Sequence, residues 1–85
     1  MESYITLYRL YNSNELISRS QAKIITKNLT NYEYVTLDFT NIEFVAQGFI
    51  DEIFRVFQNK HPDINIIYCN INTQILSMIN HVLNS

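Results

Sequence analysis

The stretch Val35-Thr-Leu-Asp-Phe-Thr-Asn-Ile-Glu-Phe-Val-Ala-Gln-Gly-Phe-Ile-Asp-Glu-Ile-Phe-Arg-Val-Phe57 decides the fold. Val35 to Phe39 is a short apolar run of β-forming residues with Asp38 as its one charge, which predicts a buried strand. Its apolar residues fall on both faces, so helices are expected above and below it. A loop follows that contains Gly48, the only glycine of the chain. Phe49 to Phe57 then reads as a helix, with Phe49, Ile50, Ile53, Phe54, Val56 and Phe57 apolar. Asp51 and Arg55 stand four apart on its outer face, and Asp51 and Glu52 lie in the first turn, where the helix dipole favours acids. His61-Pro62 ends the helix, because proline cannot continue one. Strand, loop and returning helix make half of a βαβ unit.

The flanks extend that unit in both directions. Tyr4 to Tyr11 alternates Ile5 and Leu7 against Tyr4, Thr6 and Tyr8, a period of two that predicts a strand. Asn12, Ser13 and Asn14 break it, and Leu16 and Ile17 lead into Ser18-Arg19-Ser20-Gln21, where a serine can cap a helix. In that helix Ala22, Ile25 and Leu29, joined by Ile24, form the apolar stripe, with Arg19, Lys23 and Lys27 opposite. It closes near Thr30-Asn31. Beyond the central unit, Ile64 to Cys69 predicts another strand. Asn70-Ile71-Asn72-Thr73 supplies a cap for a last helix carrying Ile75, Leu76, Met78, Ile79, Val82 and Leu83. The order is β-α-β-α-β-α, and right-handed crossovers make the strands parallel, in a two- or three-layer α/β domain spanning residues 1–85.

At 85 residues, nearly half of them hydrophobic, the chain has a globular composition with room for one small core. The formal charge is −2, and the six basic residues never cluster along the sequence, which disfavours nucleic acid as a partner. A lone cysteine, Cys69, at the end of an apolar run reads as a reduced, buried thiol. The first residues have neither the basic nor the long apolar segment of a signal peptide, and no run is long enough to span a bilayer. The expected location is therefore the cytoplasm. There the Asn28-Leu29-Thr30 glycosylation pattern has no meaning.

Chemistry in an open parallel sheet gathers at the carboxyl ends of the strands. In this order those ends are Tyr11 to Ser18, Thr40 to Gly48 and Asn70 to Asn72. The residues on offer are Arg19, Thr40, Gln47, Gly48, Asp51, Asn70 and Asn72. His61 and His81 have no companions at ligand spacing, so no metal is predicted, and both read as solvated. Cys69 lacks an activating base, and no catalytic set is predicted. Asp38 must be paired, because a carboxylate inside an apolar strand is costly otherwise. It either orients a loop or binds a ligand, or it accepts hydrogen bonds from the amides of the following loop, which is the preferred reading. Gln47-Gly48 either holds an anion on free amides or makes a tight turn. Ile50 and Phe54 face away from the sheet side of their helix, against a neighbouring helix or toward a partner.

Leu16-Ile-Ser-Arg-Ser-Gln-Ala-Lys23, Val35-Thr-Leu-Asp-Phe39, Gln47-Gly-Phe-Ile-Asp-Glu-Ile-Phe-Arg-Val-Phe57, His61-Pro62 and Asn70-x-Asn72 resemble the STAS-like domain family of unknown function. The resemblance runs from about Leu16 to Val82. More distantly it is similar to the STAS domains of anti-sigma factor antagonists, which are non-enzymatic switches that bind a GHKL-type ATPase or kinase. In those a phosphorylated serine follows an aspartate before the second helix. Here the equivalent turn, Val45-Ala46-Gln47-Gly48, is one residue shorter and has neither, so a serine switch is not carried over. The resemblance implies partner contacts on Arg19, Gln47, Gly48, Asp51, Glu52 and Arg55.

The leading expectation is a small STAS-like regulatory module, without cofactor, that binds a protein partner through residues 46–57. The alternatives are a small-ligand or nucleotide-binding domain using Asp38, Asn70, Asn72 and Arg19 at the strand ends, and a stand-alone inhibitor or accessory protein of a mobile element. A homodimer through the tyrosine-bearing first strand is a further option, since an edge strand offers unpaired backbone groups.

Overall fold

A computed structural model describes residues 1–84. The three longest strands, β1 (Glu2–Thr6), β3 (Tyr34–Asp38) and β5 (Asn65–Cys69), form one parallel sheet in the order β1-β3-β5. The stretch that opened the sequence reading thus supplies the central strand. In register, Tyr4, Thr36 and Ile67 lie side by side, as do Ile5, Leu37 and Tyr68, and at the carboxyl ends Thr6, Asp38 and Cys69.

This register sorts the side chains onto two unlike faces, because alternate residues of a strand point to opposite sides. Val35 and Leu37 are fully buried on one face. The other carries Tyr4, Tyr34 and Ile67, all substantially exposed. The helices therefore cover one side of the sheet, and the molecule has two layers. The expectation of helices on both faces of β3 does not hold: its second face alternates Tyr34, Thr36 and Asp38, which are polar enough to meet water. Cys69 lies on that open face and is half-buried, not enclosed as its sequence context suggested.

The first segment also differs from its reading. β1 stops at Thr6 and the chain turns directly into a short helix, α1 (Leu7–Tyr11), which ends at Asn12 with φ 52°. Leu7 and Tyr11, four apart, share the inner side: Leu7 is buried, and the Tyr11 ring meets Phe49 edge-on with centroids 6.0 Å apart. The Tyr11 hydroxyl donates to the Gln21 carbonyl, and burial pushes that phenol well above the ordinary tyrosine range. A second, two-stranded sheet pairs β2 (Glu15–Leu16) with β4 (Phe44–Val45) in parallel. Its open edge is closed by a side chain: Gln74 accepts from the Val45 amide and donates to the Val45 carbonyl, both at 2.9 Å.

Helix α2 (Arg19–Thr26) begins as the Ser18 motif predicts, with a reciprocal cap. Ser18 Oγ accepts from the Gln21 amide at 3.1 Å, and Gln21 Oε1 accepts from the Ser18 amide at 2.9 Å, which satisfies two donors at once. Its inner stripe is Ala22, Ile25 and Leu29, whereas Ile24 is 52% exposed and lies off it. The long helix over residues 47–60 starts as α3 (Gln47–Asp51), widens into a π-helical segment (Glu52–Phe57), and ends as α4 (Gln58–Lys60). Every residue from Phe49 to Phe54 is buried, because α2, the sheet and α5 (Thr73–Leu83) surround it. Of the two readings for Ile50 and Phe54, packing against neighbouring elements holds and the partner patch does not, since both are buried. Phe54 meets Tyr68 edge-on at 5.7 Å. His61 is half-buried and tilted over the Phe57 ring at 4.7 Å, so it is not the fully solvated residue expected.

With a single glycine, the chain makes its left-handed turns with asparagine. Asn12, Asn41 and Asn70 are the described non-glycine residues with positive φ, and asparagine tolerates that region better than other side chains. No described helix is long and apolar enough to cross a membrane.

Candidate functional site

Where α2 starts beside α3, four of the six residues proposed for partner contact come together. Asp51 and Glu52 are both buried, at 6% and 8% exposure, which a carboxylate tolerates only when paired. Arg55, one helical turn on, grips Asp51 with both prongs of its fork: Nε to Oδ1 at 2.5 Å and Nη2 to Oδ2 at 2.8 Å. Arg19 arrives from the first turn of α2 and places Nη1 2.7 Å from Asp51 Oδ2 and 3.5 Å from Glu52 Oε1. The Arg55 bonds, with the Arg19 charge beyond them, outweigh burial and hold the Asp51 carboxyl down at about 2; the Arg55 guanidinium is held above its ordinary value in return. Both arginine side chains remain about half exposed, so the acids are enclosed while the guanidinium edges face water.

Gly48 adjoins this network and takes no tight turn. It is the second residue of α3, after Ala46 at the N-cap, and its φ is not positive. A Cβ there would stand 3.5 Å from Cγ of Arg19, so the glycine borders the arginine stem. Gln47 is exposed and turns elsewhere, to a shallow pocket shared with Gln74, Ser77, Met78 and His81.

A second cluster closes the carboxyl end of the main sheet. Asp38 Oδ1 accepts from the Thr40 hydroxyl at 2.6 Å, the Thr40 amide at 3.0 Å and Asn70 Nδ2 at 3.0 Å. Its Oδ2 accepts from the Tyr4 hydroxyl at 2.6 Å. The bond to the following loop anticipated for Asp38 is present, and three side chains add to it. Thr40, Tyr4 and Asn70, in that order of weight, keep this carboxyl far below the usual carboxylate range. The same bond to Asp38 pushes the Tyr4 phenol far up. Asn72 is not part of this cluster. It caps α5 by accepting from the Ile75 amide at 2.8 Å and donates to the Glu43 carbonyl at 3.0 Å. The strand-end loop assigned to Tyr11–Ser18 is displaced as well, because α1 intervenes between β1 and that loop.

Sequence reasoning missed Tyr4 as the partner of Asp38. Tyr4 stands beside Thr36, so Asp38 is its diagonal neighbour on the next strand, a relation visible only once the register is known. No group of three or more His, Cys, Asp or Glu residues among the described residues could hold a metal ion.

A family model described as a STAS-like domain of unknown function matches residues 21–76, well over half of the chain. The chain belongs to this STAS-like family. The matched region is narrower than the Leu16 to Val82 span of the sequence resemblance, yet it contains β3, the long helix and β5, and with them Asp38, Asp51, Glu52 and Arg55. Arg19 lies two residues before it. No curated protein and no solved structure matches the chain. What the STAS-like family does is not stated by its description, so the function rests on the geometry.

Proposed function

We propose that this STAS-like domain is a non-enzymatic regulatory module of the cytoplasm. It would bind a protein partner through the start of the long helix and the adjoining start of α2. The observation that carries this reading is the pair of half-exposed arginines, Arg19 and Arg55, anchored on the buried carboxylates of Asp51 and Glu52. Such arginines are held in place before a partner arrives, which lowers the ordering cost of binding. They also keep outward N–H donors of the kind that dominate interface energetics. The distant likeness to STAS antagonists suggests a GHKL-type ATPase or kinase as the partner class. The burial of Ile50 and Phe54 removes the apolar patch from the argument, so the contact would be mainly polar.

The small-ligand alternative draws less support. Three donors already occupy one Asp38 oxygen and Tyr4 holds the other, leaving that carboxylate little capacity for a ligand.

The test is affinity capture of the tagged domain from host lysate, with and without ATP, beside Arg55→Gln and Gln47→Arg. Recovery of one ATPase-type protein by the parent, lost with Arg55→Gln while circular dichroism shows an intact fold, is the expected result. Undiminished capture by both folded variants would move the docking surface away from this face.

A further inference from the structure

The basic residues are scattered in sequence but gathered in space. Five of the six lie on α2, its C-cap or the long helix: Arg19, Lys23 and Lys27 at four-residue intervals, then Arg55 and Lys60. Arg19 and Arg55 are engaged by Asp51 and Glu52, whereas Lys23, Lys27 and Lys60 are exposed and make no ion pair among the described residues. With His61 these three lysines line one open groove of about 350 Å³ between the two helices, where the half-buried Val56 contributes apolar surface above the buried Phe57. We infer that this groove receives an acidic, amphipathic protein segment, whose carboxylates meet the lysines while its apolar side chains settle on the half-buried Val56. The inference rests on the reading of this face as a partner surface and names the chemistry of the partner.

Charge complementarity selects the occupant. Three unpaired ammonium groups beside a hydrophobic floor match a helix with acids on one flank and leucine-like residues on the other. A nucleic acid fits less well. Three ammonium groups are few for tracking a phosphate backbone, and Phe57, at 6% exposure, offers no face on which a base could stack.

The experiment is an amide NMR titration of the labelled domain with three probes. They are a Glu/Leu-patterned peptide of about three helical turns, the same peptide with every Glu replaced by Gln, and a short oligothymidylate. The acidic peptide is expected to shift the signals of Lys23, Lys27, Lys60 and His61. Its affinity should fall by about tenfold or more in Lys27→Glu/Lys60→Glu, and further as salt is raised. Both lysines are exposed, so the variant keeps its fold, which its own signal dispersion verifies. Equal binding of the Gln peptide, shifts confined to another surface, no shifts at all, or an oligonucleotide that binds the groove as tightly would each overturn the assignment. Loss of the groove with lysate capture through Arg55 preserved would leave the partner surface standing without its acidic partner. Loss of capture alone would leave the groove standing.

Discussion

Asp51 carries two guanidinium groups on one carboxylate, and its protonation is therefore felt across two helices. Its folded pKa of about 2 lies below the ordinary carboxyl value of 3.8. A carboxyl lowered by folding contributes stability above its unfolded value, and that contribution is lost as pH falls through the folded one. The domain should thus lose Asp51's share between about pH 4 and pH 2, and at neutral pH the share should be fully present. Asp51→Asn should cost about 1–2 kcal/mol at pH 7, moderated because both arginines are half in water. In urea titrations at a series of pH values the gap between parent and variant should narrow as pH drops through that window. A gap that stayed constant from pH 7 to pH 2 would mean that the ion pairs do not contribute. Asp38 is likewise held below the usual carboxylate range, there by the neutral donors Thr40, Tyr4 and Asn70, so its share of stability is also lost on the acid side.

The start of the long helix gives a complementary test in which backbone entropy, not charge, decides. Gly48 has helical geometry with no positive φ, and a Cβ there meets only ordinary contacts at 3.5 Å and beyond. Gly48→Ala should therefore stabilise the domain by about 0.5 kcal/mol, through a less flexible unfolded chain and better helix propensity. A rise in the urea midpoint with an unchanged slope would show it, and a fall would mean that the added methyl displaces the Arg19 stem. How legible such elements were depended on length. The central strand and the long helix were readable because their apolar patterns run for five residues or more, and the Ser18 cap because its partner Gln21 stands three residues on. β1 was legible as a strand but its end at Thr6 and the helix α1 were not, since Ile5 and Leu7 satisfy a period of two while Leu7 and Tyr11 satisfy a helical turn. The deciding signal was Asn12, a residue suited to the left-handed position that ends a helix. The pairing of β2 with β4 spans two residues and leaves no periodic trace. In one cluster the bond from Asp38 to its following loop could be read locally, and within the arginine–carboxylate cluster only the Asp51–Arg55 spacing could. That Arg19 joins them depends on how α2 packs against α3, which no spacing encodes.

At the scale of the whole molecule, the sheet has one face committed to the core and one left to water, and this asymmetry makes the sharpest claim about the fold. Leu37 and Ile67 sit on neighbouring strands one residue apart in register, yet Leu37 is fully buried and Ile67 is 47% exposed. They therefore lie on opposite sides of the same sheet. Leu37→Ala removes buried methyl groups and leaves a cavity, at a cost of about 2–5 kcal/mol. That is a large fraction of the few kcal/mol that hold so small a domain together, so this variant should be mostly unfolded near body temperature. Ile67→Lys places a charge beside Thr36, where its stem can lie along the surface and its ammonium can reach water. Its cost should stay within about 0.5 kcal/mol, as for other exposed positions. Thermal melts of the two variants at equal concentration decide the matter. A collapse of Ile67→Lys comparable to that of Leu37→Ala would mean that this face is covered in solution, by a further layer or by a second copy. Sedimentation of the parent would distinguish the two. A large loss for Leu37→Ala beside an unperturbed Ile67→Lys would establish the two-layer architecture and leave the helix-covered side, with its arginines and lysines, as the side equipped to meet a partner.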